Sequence, residues 1–258
     1  IFFRITMRRL IAIIFFVTCF PTIVLVGTAI YLGQGFKARA SDQYDATRSV
    51  GKVVGVANPD GSQDENADQK DWQSLFDGQS LEQWEGKEKV FRIQEKSIVA
   101  GSLLKKIPNN EFLCTRKKYG NFELKLQAKL IGDGRNAGIQ FRSKRIPDHH
   151  EVIGYQCDMG IMGSRSIWGS LYDESRRRKF LAEGDAEKTN TATKVDQWNR
   201  LVIRCEGTRI QIWVNDYQTV DYTETDEGIE KSGIIGLQIH GGKPAEAWYK
   251  DLQIRSLE

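Results

Sequence analysis

Between residue 71 and the C-terminus, short runs of alternating apolar and polar residues are separated by clusters of Gly, Asn and Asp. A period of two puts successive side chains on opposite faces of an extended chain, so each run predicts a strand with one dry face. The runs fall at 91–93, 122–130, 138–142, 154–159, 201–205, 210–214, 234–240 and 248–254. No long stretch repeats every 3.6 residues. Many short strands at regular spacing, with turn residues between them, predict an all-β sandwich or jelly roll.

The polar phase is not the same in every run. In 122–130 it carries Glu123, Lys125, Gln127 and Lys129, the composition of a solvated face. In Ala137-Gly138-Ile139-Gln140-Phe141-Arg142 the apolar phase takes Ala137, Ile139 and Phe141 and leaves Gln140 and Arg142 opposite. Likewise Gly154-Tyr155-Gln156-Cys157-Asp158-Met159 leaves Gln156 and Asp158, and Gly236-Leu237-Gln238-Ile239-His240 leaves Gln238 and His240. Amides, a guanidinium, a carboxylate and an imidazole beside glycines supply directional hydrogen bonds and room for a polar ligand. The same pattern fits a sheet face covered by a loop whose backbone these groups satisfy. On the ligand reading, Gln140, Arg142, Asp158, Gln238 and His240 converge on one face.

Upstream of the alternating region, residues 10–32 carry no charge and follow Arg4, Arg8 and Arg9. At ~1.5 Å per residue a helix of this length crosses the ~30 Å hydrocarbon layer. Residues 1–32 are therefore read as a signal anchor, with the basic flank cytoplasmic and the rest of the chain outside. A cleaved signal peptide is the competing reading, because Ala38-Arg39-Ala40 precedes Ser41 in a small-x-small pattern. Residues 33–70, rich in Gly, Ser, Asp, Gln and Asn, read as a flexible linker to a domain at 71–258. The predicted location is the cell membrane with the domain outside the cytoplasm, or the periplasm or medium if the chain is cut near Ser41.

Composition narrows the partners. With 258 residues, 40% hydrophobic and 28% charged, the chain suits a globular protein. A formal charge of +3 is too mild to imply nucleic acid. Cys114, Cys157 and Cys205 lie beyond the apolar span, an odd number that favours buried thiols over a disulfide framework, with one disulfide still open. His149-His150-Glu151 reads as a loop without metal, since adjacent residues of a strand point apart. Arg176, Arg177, Arg178 and Lys179 read as a solvated face or, on a functional reading, as a rim for acidic glycans.

The order of several motifs resembles the 3-keto-disaccharide hydrolase domain family over roughly residues 72–257. The resemblance rests on Ser74-Leu75-Phe76-Asp77-Gly78 with Trp84, on Tyr119-Gly120-Asn121-Phe122, on Asn136-Ala137-Gly138-Ile139-Gln140-Phe141-Arg142 and on Gly154-Tyr155-Gln156. It continues through Gly169-Ser170-Leu171-Tyr172, Trp198-Asn199, Gly236-Leu237-Gln238-Ile239-His240 and Trp248-Tyr249-Lys250-Asp251-Leu252. The stretch from Tyr172 to Arg178 resembles a planctomycete subgroup. The family implies a concanavalin-A-like β-sandwich whose concave sheet binds carbohydrate. Gln156 stands where many members carry Glu, which leaves the identity of an acid or base open.

Hydrolysis of an ordinary glycoside needs two carboxylates across the bond. Glu183-Gly184-Asp185-Ala186-Glu187 has a suggestive spacing, but Gly184 and Ala186 and its polar surroundings read as an exposed acidic loop. A 3-keto-glycoside offers another route: the ketone acidifies the C2 proton, the aglycone leaves from C1 by elimination, and water then adds. That route needs a base and an electrophile at the keto oxygen. The candidate bases are His240 and Asp158; the candidate oxyanion partners are Arg142 and a bound divalent cation. Gln140, Gln156 and Gln238 are assigned to sugar hydroxyls, and Trp168 or Tyr172 to stacking on the ring. A non-catalytic carbohydrate-binding module is the second reading.

Overall fold

Alternation in the sequence becomes two antiparallel sheets packed face to face. The computed structural model describes residues 71–258, so the expected apolar span, linker and cleavage site lie outside the described residues. In chain order the first strands are β1 (Gln73–Ser74), β2 (Trp84–Glu85), β3 (Phe91–Gln94), β4 (Ser97–Ser102), β5 (Glu111–Thr115), β6 (Phe122–Gly132), β7 (Asn136–Arg145) and β8 (Val152–Met162). There follow β9 (Arg165–Ser166), β10 (Leu171–Glu174), β11 (Phe180–Ala182), helix α1 (Ala186–Ala192), β12 (Asn199–Glu206), β13 (Arg209–Val214), β14 (Tyr217–Thr223), β15 (Ile234–Ile239) and β16 (Ala245–Ser256). All eight expected strands are present.

One sheet runs β14-β13-β12-β6-β16-β4-β3 with β1 on β16, and the other runs β11-β10-β8-β7-β15-β5-β2 with β9 on β8. Their inner faces share one apolar core, with Leu124, Leu126, Ile203 and Ile212 from the first sheet against Ile139, Cys157, Leu237 and Ile239 from the second. Every one of these side chains is at most 2% exposed. β6 shows the simplest pattern, alternating buried and half-buried positions along its first nine residues. β4 and β5 escape the two-residue signal because they are buried on both sides.

The outer face of the first sheet explains three of the six tryptophans. Lys129 lies over the rings of Trp198 and Trp248, and Lys125 over Trp72, so lysine stems cover the indoles. Trp84 is an anchor, donating Nε1 to the Leu75 carbonyl at 2.9 Å. Cys114, Cys157 and Cys205 are free and buried, as the buried-thiol reading requires. Among the described residues no helix is long and apolar enough to cross a membrane.

Two further expectations resolve differently. The acidic stretch at 183–187 is no strand: Asp185 caps α1, accepting the Lys188 amide at 2.9 Å, and Glu183 and Glu187 are exposed. The basic run divides: Arg178 and Lys179 are exposed, as on a solvated face, whereas Arg176 and Arg177 turn toward carboxylates. Arg176 donates Nε to Asp173 at 2.8 Å, and Arg177 bridges Asp173 and Glu224. Asp173 is fully buried, and the Tyr155 hydroxyl donates to Glu224 at 2.6 Å. A buried carboxylate needs such partners, and this one draws both guanidinium groups inward.

Candidate active site

The second sheet positions the polar residues. β7 and β8 pair with Gln140 opposite Gln156 and Gly138 opposite Asp158, while β15 sets Gln238 against Gly138 and Gly236 against Gln140. These side chains share the outer face, because Ile139, Cys157 and Leu237 between them enter the core. β10 extends the face by pairing Tyr172 with Gln156 and Glu174 with Gly154.

A bulge between Phe141 and Lys144 then interrupts the alternation of β7. Arg142 sits there with φ 44°. Its guanidinium donates to the Gly120 carbonyl at 3.1 Å, the Gly207 carbonyl at 2.8 Å and Asn121 Oδ1 at 3.2 Å. Arg142 therefore ties two loops and does not join Asp158. The extra residue of the bulge shifts the period by one, so Ser143 takes the place on the polar outer face that simple counting gave to Arg142.

Beyond the bulge the β7–β8 hairpin lies over the sheet it belongs to. Val152 packs with Phe112, Cys114 and Ile234, which face away from the main core. Arg145 donates to the carbonyls of Glu85 at 2.7 Å and Phe112 at 3.1 Å. Glu151 accepts from Asn110 Nδ2 at 3.0 Å, just before β5. The β5 and β15 side of the face is thus covered, although the covering loop does not satisfy the Gln238 amide. His149 and His150 form the hairpin tip, with their rings stacked at 4.4 Å.

Under this cover the amides form a directed chain. Ser143 Oγ donates to Gln140 Oε1 at 2.9 Å, Gln140 Nε2 to Gln156 Oε1 at 2.6 Å, and Gln156 Nε2 to Asp158 Oδ1. The Gln156 side chain crosses over Gly138; a Cβ there would lie 2.7 Å from Gln156 Cγ. The glycine's free space is thus taken by a protein side chain. Gln238 is fully buried, and neither its Oε1 nor its Nε2 has a partner.

Asp158 is only 5% exposed, and burial pushes its carboxyl up to about 8, with the Gln156 bond pulling down and Glu174 and Glu183 pushing up. Burial also raises Glu174, as does the nearby Glu151, while His240 opposes the rise. His240 follows the end of β15, half-buried, with Nδ1 2.7 Å from the Gly241 carbonyl. A carbonyl only accepts, so Nδ1 carries the proton and Nε2 is left for another partner. Trp168 belongs to the main core cluster, away from this face, whereas Tyr172 borders Asp158 and packs edge-on against Phe180.

Sequence reasoning missed Glu174, Glu151, Asn110 and Ser143. Glu174 was within reach, since a period of two from Tyr172 puts it on the same face; the others depend on the bulge and the fold-over. Among the described residues no three of His, Cys, Asp and Glu are grouped to hold a metal ion.

Comparisons with known proteins agree with this architecture. Two Parabacteroides distasonis proteins described as glycosyl hydrolases share the fold: one at TM-score 0.55 and 19% identity over 72% of this chain and 99% of its own, the other at 0.56 and 17% over 75% and 97%. The carbohydrate-binding module CBM66 of Bacillus subtilis aligns at TM-score 0.52 and 16% identity, covering 67% of this chain and 96% of the module. No curated protein matches the chain. The model of one family spans residues 71–255, nearly the whole described domain, and the chain belongs to that family, the 3-keto-alpha-glucoside-1,2-lyase-like domain.

Proposed function

We propose that the domain cleaves 3-keto-glycosides by elimination and hydration. The observation that carries the reading is Asp158: a buried carboxyl held up to about 8, at the end of an amide chain on a sheet face. A base for a C–H bond activated by a ketone works best with a pKa near the operating pH, and burial supplies that here.

In this mechanism ionised Asp158 takes the proton from C2, and the C–H electrons form the enolate with the C3 oxygen. Collapse of the enolate forms the C1–C2 double bond, restores the ketone and breaks the bond from C1 to the aglycone oxygen. Protonated His240, through Nε2, gives the leaving oxygen its proton. Water then adds at C1, giving a proton to the now neutral His240 Nε2, and protonated Asp158 returns its proton to C2, leaving a 3-keto sugar and the free aglycone with both groups in their starting forms. Tyr172, which borders Asp158 and is only half-buried, contacts the ring. Arg142 has no part, because its donors are committed to loop carbonyls. On the sequence reading, residues 10–32 would anchor the domain at the membrane outside the cytoplasm, or be removed with a signal peptide cut near Ser41.

Incubation of the chain with a 3-keto-glucoside and with its unoxidised parent, each with and without chelator, tests the proposal. The oxidised substrate is consumed and the parent is not. A folded protein that turns over no keto-glycoside supports instead a non-catalytic carbohydrate-binding module.

A further inference from the structure

The β7–β8 hairpin, residues 143–153, bends back at a matched pair of positions. Phe141 opposite Tyr155 is the last regular pair before the bend, and Lys144 opposite Ile153 is the first beyond it. Between them Arg142 on one strand and Gly154 on the other both have positive φ, 44° and 149°. A Cβ at Gly154 would lie 2.2 Å from Ser143 Oγ, so the second strand bends here through a glycine for want of space. Both strands turn at one level, and the hairpin leaves the sheet as a unit.

Little holds that unit down. Among residues 144–153 only Val152 is buried, in a cluster with Phe112, Cys114 and Ile234 that is separate from the main core. The polar ties are Glu151 to Asn110 Nδ2 at 3.0 Å and Arg145 to the carbonyls of Glu85 and Phe112. An element with so few buried apolar contacts belongs to the low end of local stability.

What lies beneath is polar and unpaired. Gln238 sits between Phe112 of β5, which Val152 covers, and Gly138 of β7, which the Gln156 side chain crosses. Gln238 is fully buried with neither amide atom paired, and Glu151 Oε2 on the hairpin is likewise buried without a partner. Gln156 offers no relief, since its Oε1 accepts from Gln140 and its Nε2 donates to Asp158. Buried polar atoms left unpaired raise the free energy of the closed form. The strip also borders the proposed reaction site: His240 comes two residues after Gln238, and Asp158 ends the amide chain that passes over Gly138.

We infer that the 143–153 hairpin is a lid that opens over this strip, and that in the open form a substrate hydroxyl pairs with the Gln238 amide. The second half rests on the reaction proposed above; the first does not. Closed, the lid shelters an amide with nothing to bond. Open, it presents that amide to the same face as Asp158.

The test is Gln238→Met in the full chain, which keeps the length of the side chain and removes its polar atoms. The closed form then has less to satisfy, so the urea midpoint rises above wild type, while kcat/KM for a 3-keto-glucoside falls by about tenfold or more because a hydroxyl has lost its partner. Methyl relaxation dispersion reads the lid without turnover. Val152 and Ile234 exchange between two states, Ile139 and Leu237 of the main core do not, and Gln238→Met suppresses the exchange by favouring the closed form. An unchanged or lower midpoint overturns the inference, for ordered water then satisfies the amide under a hairpin that stays shut. A higher midpoint with unchanged kcat/KM overturns it too, as does flat dispersion at Val152. Should wild type turn over no keto-glycoside, the proposed reaction has failed, and the midpoint and methyl data alone decide the lid.

Discussion

The side chain of Gln156 fills the space that a Cβ at Gly138 would occupy, so one residue of β7 is small because its neighbour on β8 lies across it. That contact aims the Gln156 amide at Asp158. Gly138→Ala should push Gln156 aside and break the amide chain. Overpacking of this kind costs about 1–3 kcal/mol. Denaturant unfolding together with turnover of a 3-keto-glucoside checks it; an unchanged midpoint and rate would show that the contact has no such role.

Asp158 should set the pH dependence of both rate and stability. The unfolded carboxyl loses its proton near pH ~4, but the folded one only near about 8. Between these values unfolding releases a proton, so stability falls as pH rises and levels off above about 8. Asp158→Asn removes this term, and its melting temperature should gain on wild type steadily from pH 4 to 8. The same substitution should lower turnover by ~10²–10⁴, and wild-type rate on a substrate whose aglycone departs without a proton should climb toward a plateau above about pH 8. A variant with unchanged turnover would discharge Asp158 from the chemistry.

His240→Ala separates the acid from the base. With Nδ1 held by the Gly241 carbonyl, Nε2 is the working nitrogen. Its loss should slow substrates with poor leaving groups, by ~10²–10⁴, far more than those whose aglycone departs without a proton. Equal losses for both kinds of substrate would make His240 a binding group.

The Asp173, Arg176, Arg177 and Glu224 cluster should act on the fold alone. Burial pushes Glu224 up, but the Arg177 pair, the Tyr155 hydroxyl and the Asp226 amide together hold it down at about 2. A depressed carboxyl stabilises above its unfolded value of ~4.3 and loses that contribution as pH falls toward about 2. Arg177→Met leaves carboxylates buried without a partner and should cost roughly 3–5 kcal/mol. Urea midpoints at pH 7 and pH 2.5 should show wild type and variant converging in acid; a constant gap would refute the pairing.

The three described thiols should be inert in the native state. Burial pushes Cys114 and Cys205 up to about 12 and Cys157 higher still. In a Cys19→Ser background a thiol reagent at pH 8 should label the chain only after denaturant is added. Rapid native labelling would contradict the packing.

The alternating runs made eight strands legible because each has one face against the core and one against solvent or polar neighbours. β4 and β5 were not, since a strand dry on both sides has no period to read. Gln140, Gln156, Asp158 and Gln238 could be placed on one face from counting alone, because alternation is a local property of an extended backbone. What counting could not supply was Arg142, where one bulge residue reversed the phase, or Arg177, whose partner Glu224 lies far along the chain. The sequence by itself determined the two-layer sandwich and the polar face. Tertiary structure decided which polar groups meet, because a bulge, a folded-over hairpin and the burial that lifts Asp158 arise only when distant strands pack together.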